Sequence, residues 1–200
     1  MRIRILFPIL VFLVVFAVLP AAAQEMTPTV DAPDPALCTL RPLTGEDLQR
    51  IQDAGFPPIE TPTPVSYPFV MPSGDELFTH DLNEVQKDLR RAIACVNTGE
   101  PLRALAAYTD RWIANFLQEQ GGLDDELIAG LQVGRDLQPD NYLQILQFGD
   151  AVRLEDGRVA IVVLGNDPAK ASAPSQRLFL MDEVRPGRFL IDEVVPISES

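Results

Sequence analysis

"CVNTGEPLRALAAYTDRW", residues 95–112, reads as the end of one helix, a corner, and the start of further helix. Asn97-Thr98-Gly99 halts the first helix, because Gly99 can take the left-handed conformation that closes a helix C-terminus. Pro101 suits the first turn of the next helix, where its missing N–H would have no partner anyway. Leu102, Leu105 and Ala106 give that short helix its apolar face. The stretch is therefore an elbow that lets two helices pack together. Tyr108 and Trp112 are the residues in it that a ligand in an adjoining pocket would touch.

Working outward, Leu82, Val85, Leu89, Ala92, Ile93 and Val96 recur at helical spacing before the elbow, with Lys87, Arg90 and Arg91 on the other side. Asp81, followed three residues later by Glu84, is the expected N-terminal cap of this helix. After the elbow, Asp110 is the expected cap of a third helix, "RWIANFLQEQ", which would bury Trp112, Ile113, Phe116 and Leu117 and end at Gly121-Gly122. A weaker helical turn follows around "DDELIAGL". The C-terminal third changes period. "YLQILQFGDAVRLE" and "RVAIVVLG" flank Asp156-Gly157, and "QRLFLMDEV" and "RFLIDEVVP" flank Pro186-Gly187, so two hairpins are expected. Gly149-Asp150 marks a bulge in the first of these strands. Helices followed by four antiparallel strands make residues 76–200 an α+β domain.

The stretch "ACVNTGEPLRALAAYTD", with a long amphipathic helix before it and antiparallel strands ending in "FLIDEVVPI" after it, resembles the nuclear transport factor 2-like superfamily. That group includes ketosteroid isomerases and SnoaL-like polyketide cyclases, and the resemblance covers roughly residues 78–197. It implies N-terminal helices packed on a strongly curved antiparallel sheet, a cone that often leaves a pocket between the two layers. The chain departs from the enzymes of that group where their chemistry sits. There the short helix leads into a strand carrying pocket residues, whereas "DRWIANFLQEQGG" reads as helix, so no catalytic acid or base carries over onto a numbered position.

Residues 24–75 form a proline-rich arm, whose stretch "PPIETPTPVSYPFVMP" is expected to be extended. The arm has no PxxP spacing. One short helix interrupts it, with Thr44 as cap, Asp47 completing a capping box, Leu48 and Ile51 on one face, and Gly55 at its end. Ahead of the arm, Arg2 and Arg4, an apolar run from Ile5 to Leu19, and small residues before Gln24 give the pattern of a signal peptide, residues 1–23, cleaved after Ala23. The run is short for a membrane span of roughly 20 residues. Export follows, with retention as an N-terminal membrane anchor as the alternative and no membrane contact once the signal is removed. In an oxidising compartment Cys38 and Cys95 are expected to form a disulfide that fastens the arm to the first long helix.

Cleavage would leave 14 basic against 29 acidic residues, a net charge of −15. Nucleic acid and anionic lipid are poor partners for such a chain, since both require positive charge to displace counterions. His80 is the single histidine, which excludes a multi-histidine zinc site and leaves no metal or cofactor to expect. Asp124-Asp125-Glu126 lacks the ligand alternation of a calcium loop and fits a helix N-terminus instead. Asp182-Glu183 and Asp192-Glu193 read as solvent-facing strand charge rather than a catalytic carboxylate pair. Tyr108, Trp112, Phe116, Tyr142 and Phe148 are the aromatic residues able to line a cone-shaped pocket, with Arg153 at its mouth. Ordinary core packing is the competing account of the aromatics. The leading expectation is a secreted, non-catalytic domain that binds a small apolar ligand or a protein partner. The alternatives are a SnoaL-like isomerase, cyclase or hydrolase with an unplaced catalytic Asp or Tyr, and a dimerisation module whose open sheet face pairs with a second copy.

Overall fold

A computed structural model describes residues 31–59, 65–66, 68–170 and 173–198, so the signal-peptide pattern lies outside the described residues. The fold is α+β. Among the described residues, five helices, α1 (Gly45–Asp53), α2 (Thr79–Asn97), α3 (Pro101–Leu105), α4 (Asp110–Glu119) and α5 (Asp125–Gln132), accompany one six-stranded sheet. Its long antiparallel strands are β3 (Gln144–Arg153), β4 (Val159–Asn166), β5 (Ser175–Arg185) and β6 (Arg188–Ser198). Two short strands close the edges. β1 (Val65–Ser66) runs parallel to β6, and β2 (Asp75–Glu76) runs antiparallel to β3, giving the order β1-β6-β5-β4-β3-β2. Among the described residues, no helix is long and apolar enough to cross a membrane.

Strand alternation sorts the apolar side chains onto two faces. Val159, Ile161, Val163, Phe179, Met181, Phe189 and Ile191 form the main core with Val85, Leu89 and Ala92 of α2. Ala160, Leu178, Leu180, Val195 and Ile197 point to the opposite face. Register shifts disturb the alternation and bend the sheet. In β3 one lies between Phe148 and Ala151, at the Gly149-Asp150 pair where a bulge was expected, and another between Ile145 and Gln147. In β6, Leu180 pairs with Glu193 and Met181 with Ile191, which leaves Asp192 as the extra residue.

The outer face is not open to solvent throughout. The chain runs from β1 at one edge to β2 at the other, and on the way Phe69 and Met71 pack onto the Leu178–Leu180–Val195 cluster. Five strand spacings of ~4.8 Å need about 24 Å, and the nine residue steps from Ser66 to Asp75 reach about 30 Å when extended. Arm residues also enter the other layers. Cys38 and Leu40 belong to the main core, and Leu48 and Ile51 of α1 join Ile113 and Leu117 of α4 in a third cluster. Cys38 and Cys95 form the expected disulfide.

Local signals explain most helix ends, with two corrections. Thr44 and Asp47 make a reciprocal capping box on α1, and Gly99 ends α2 with φ +73°. Asp81 does not cap α2; the helix begins at Thr79 after Phe78, and Asp81 instead pairs with Arg153 at 3.2 Å. The cap of α4 is Thr109 rather than Asp110, because the Thr109 hydroxyl accepts from the Trp112 N–H. At the elbow, the buried Asn97 amide donates to the Pro33 and Leu143 carbonyls and accepts from the Leu143 N–H. One side chain thus pins arm, helix end and sheet entry together.

Candidate functional site

The segment leading into α4 is stitched to the edge of β6. Thr109 N–H donates to the Ile191 carbonyl at 2.9 Å, and Ile191 N–H donates to the Ala107 carbonyl at 3.0 Å. This pairing and the bulge at Asp192 bring the Thr109 hydroxyl and the Asp192 carboxylate to 2.8 Å. Arg111, in the first turn of α4, reaches the same carboxylate through Nε at 3.1 Å and also through Nη2. Arg158, just past the β3–β4 turn, adds a bond at 3.0 Å and spans to Asp156 at 2.8 Å and Glu193 at 3.4 Å.

Asp192 is only 3% exposed, so it is not the solvent-facing strand charge expected from sequence. The extra residue in β6 puts it out of phase with its neighbours and turns it toward the arginines. Burial opposes its ionisation, but the hydrogen bonds from Arg111 and Thr109, with the guanidinium charges, outweigh that and hold its carboxyl below the ordinary 3.8. Its oxygens accept from one hydroxyl and two guanidinium groups, which uses their accepting capacity. Such a group has no proton to give as an acid and no free lone pair to act as a base.

Around this network lies an open cleft of about 700 Å³, lined by Phe56, Thr109, Asp110, Arg111, Asp156, Arg158, Asp182, Val184, Leu190 and Asp192. Four carboxylates face two guanidinium groups, so its balance is acidic. Asp182 has no ion-pair partner among the described residues, while Phe56 and Val184 are exposed apolar side chains at 37% and 47%. A second space reaches the core beside α2 and is lined by Ile93, Ile145, Val163 and Phe179. It measures about 50 Å³, room for a few waters.

The six residues proposed from sequence do not converge on either space. Tyr108, Trp112 and Phe116 stack in series, with centroid separations of 4.0 and 5.8 Å, and pack onto the α1–α4 cluster. Phe148 lies under the Arg90 guanidinium at 4.7 Å, and Arg90 is held by Asp31 at 2.8 Å. Tyr142 follows a 3₁₀ turn, Pro139–Asn141, at the entry to β3. Arg153 is engaged by Asp81 and Glu183, each at 3.2 Å. Asp124 caps α5 by accepting from Leu127 N–H, with Asp125 and Glu126 in the first turn. No group of three His, Cys, Asp or Glu side chains suited to a metal ion occurs among the described residues.

The residues that do converge, Thr109, Arg111, Arg158 and Asp192, were missed by sequence reasoning. The one signal was in "RFLIDEVVP", where apolar residues at 189, 190, 191, 194 and 195 break strict alternation around Asp192-Glu193 and mark the bulge. Comparison with known protein families, curated protein sequences and solved structures finds no significant match for this chain.

Proposed function

We propose that the chain is an exported, non-catalytic binding module that engages a protein partner through the cleft between the start of α4 and the β6 edge. The observation that carries the reading is the saturation of Asp192: the most buried carboxylate of the cleft is occupied by Thr109, Arg111 and Arg158. The remaining groups offer recognition rather than chemistry. Asp110 is held by Arg50 at 3.0 Å and Asp156 by Arg158 at 2.8 Å. That leaves the Asp182 carboxylate, beside Phe56, Val184 and Leu190, to suit a segment carrying a cationic side chain next to an apolar one. A small apolar ligand is the weaker version, because the apolar space beside the core is about 50 Å³, below the ~300–1,000 Å³ of small-molecule sites, and the cleft of about 700 Å³ is open and lined by charged side chains. A homodimer through the outer sheet face would first have to displace Phe69 and Met71. Export is supported by the disulfide, which persists in oxidising compartments. Helices packed on a bulged antiparallel sheet support the nuclear transport factor 2-like resemblance, which remains part of this proposal.

The test is site-specific photo-crosslinking in the native host, with the crosslinker at Val184 on the cleft rim or at Val133 after α5, which is 66% exposed. The expected result is a defined protein adduct from position 184 and none from 133. Equal adducts from both positions, or a co-purified small molecule in the native mass spectrum, would overturn the proposal.

A further inference from the structure

Among the described residues, a departure from the acidic character of the chain lies where α2 meets the β5–β6 turn. A cleft of about 330 Å³ between α2 and the β5–β6 turn is lined by Lys87, Arg91, Arg185 and Arg188, together with Thr39, Glu84, Asp88, Pro186 and Gly187. Four cations face two carboxylates there, in a chain of net charge −13. Both carboxylates are already committed. Glu84 holds Lys87 at 2.9 Å, while Asp88 holds Arg91 at 2.5 Å and accepts the Phe189 N–H at 2.8 Å. Glu183, the next acidic residue along β5, is taken by Arg153 and by the Gly187 N–H. Arg185 and Arg188 are left without an ion-pair partner among the described residues.

The register makes this arrangement costly. Arg185 and Arg188 are direct cross-strand partners on either side of the Pro186-Gly187 turn. Like charges placed opposite one another on antiparallel strands repel, where an opposite-charge pair would stabilise. The turn fixes that opposition, since Gly187 takes φ +70° and its N–H is tied to Glu183. On the other wall Glu84 and Asp88 are spent on Lys87 and Arg91, so no carboxylate there pairs with Arg185 or Arg188.

We propose that this cleft binds a compact oxyanion of the phosphate or sulfate type, gripped by the forks of Arg185 and Arg188. Guanidinium groups match such anions by paired N–H donation, and Thr39 adds a hydroxyl at the rim. A compact anion seated in the cleft sees the local cations. An extended polyanion must also cross the repulsive field of the whole chain, which acts out to a screening length of ~8 Å at physiological salt.

Inorganic phosphate is the probe, titrated into the full chain at constant ionic strength with chloride as balance, and read by thermal unfolding. The expected result is a saturable rise in Tm, about 3–5 °C at ten times the dissociation constant. In R185Q/R188Q the affinity should fall at least tenfold. That variant should be no less stable than the parent without phosphate, because the cross-strand repulsion is gone. K170Q, which removes an exposed lysine elsewhere, should keep the response. No phosphate-specific rise, a rise that survives in R185Q/R188Q, or a response to polyglutamate alone would each overturn the proposal.

Discussion

Replacing Asp192 by Asn keeps the shape of the side chain and removes its charge, so it isolates what the carboxylate contributes at the α4–β6 junction. Breaking a buried ion pair by removing one partner costs about 3–5 kcal/mol, because the surviving charge stays buried. Here the surviving charges are Arg111 and Arg158, whose side chains are 35% and 23% exposed. Both recover part of their hydration, which moves the expected loss to about 2–3 kcal/mol. For a chain of this size that is roughly 5–10 °C in Tm. The pH dependence supplies a second signature. The folded carboxyl titrates below its ordinary 3.8, so its stabilisation is fully present above that value and is lost as pH falls through the folded pKa. Guanidinium-chloride unfolding of wild type and D192N, disulfide intact, should therefore show a gap that is constant near neutrality and shrinks in acid below about pH 4. A loss under about 0.5 kcal/mol, or a gap unchanged into strong acid, would refute the view that this network holds the junction together.

Removing both cysteines in C38A/C95A should cost about 4 kcal/mol on the chain-entropy model, since the bridge spans 57 residues of sequence; urea unfolding against the oxidised parent checks it. Two glycines with similar backbone angles should respond differently to alanine. At Gly187 (φ +70°) an added Cβ meets nothing within 4 Å, so G187A should cost about 1 kcal/mol of backbone strain. At Gly99 (φ +73°) the Cβ would meet the Arg135 carbonyl oxygen at 1.9 Å, so G99A should lose at least twice as much in the same unfolding assay. Burial pushes the Tyr108 phenol above 10, partly offset by Arg177. The stability linked to it is present below pH 10 and lost as pH rises through the folded pKa. The tyrosinate signal missing from Y108F should therefore appear in wild type only on the alkaline unfolding limb.

What could be read from the sequence was what neighbours along the chain decide. Thr44 with Asp47, Gly99 with Pro101, and the turns at Asp156-Gly157 and Pro186-Gly187 act within a few residues, and each sits where its local chemistry sends it. Apart from the one-residue slip of the α4 cap from Asp110 to Thr109, the misreadings involve distant partners. Asp81 had the right spacing to cap α2, but Arg153, 72 residues away, draws its carboxylate elsewhere. Much of the proline-rich stretch lies outside the described residues, and the path of residues 68–72 over the outer sheet face depends on pairing β1 with β6 and β2 with β3, which proline content does not encode. Asp192 is the sharpest case. Before it, Phe189 and Ile191 face the helices; after it, Val194 takes that side, and Val195 and Ile197 join the cluster under Phe69 and Met71. One extra residue therefore does two things at once. It places a carboxylate between Thr109, Arg111 and Arg158, and it re-phases the end of β6 so that the outer face offers an apolar seat to the arm. The cleft and the seat of the arm on the outer face are linked through that single irregularity, and a reading by strict alternation loses both together.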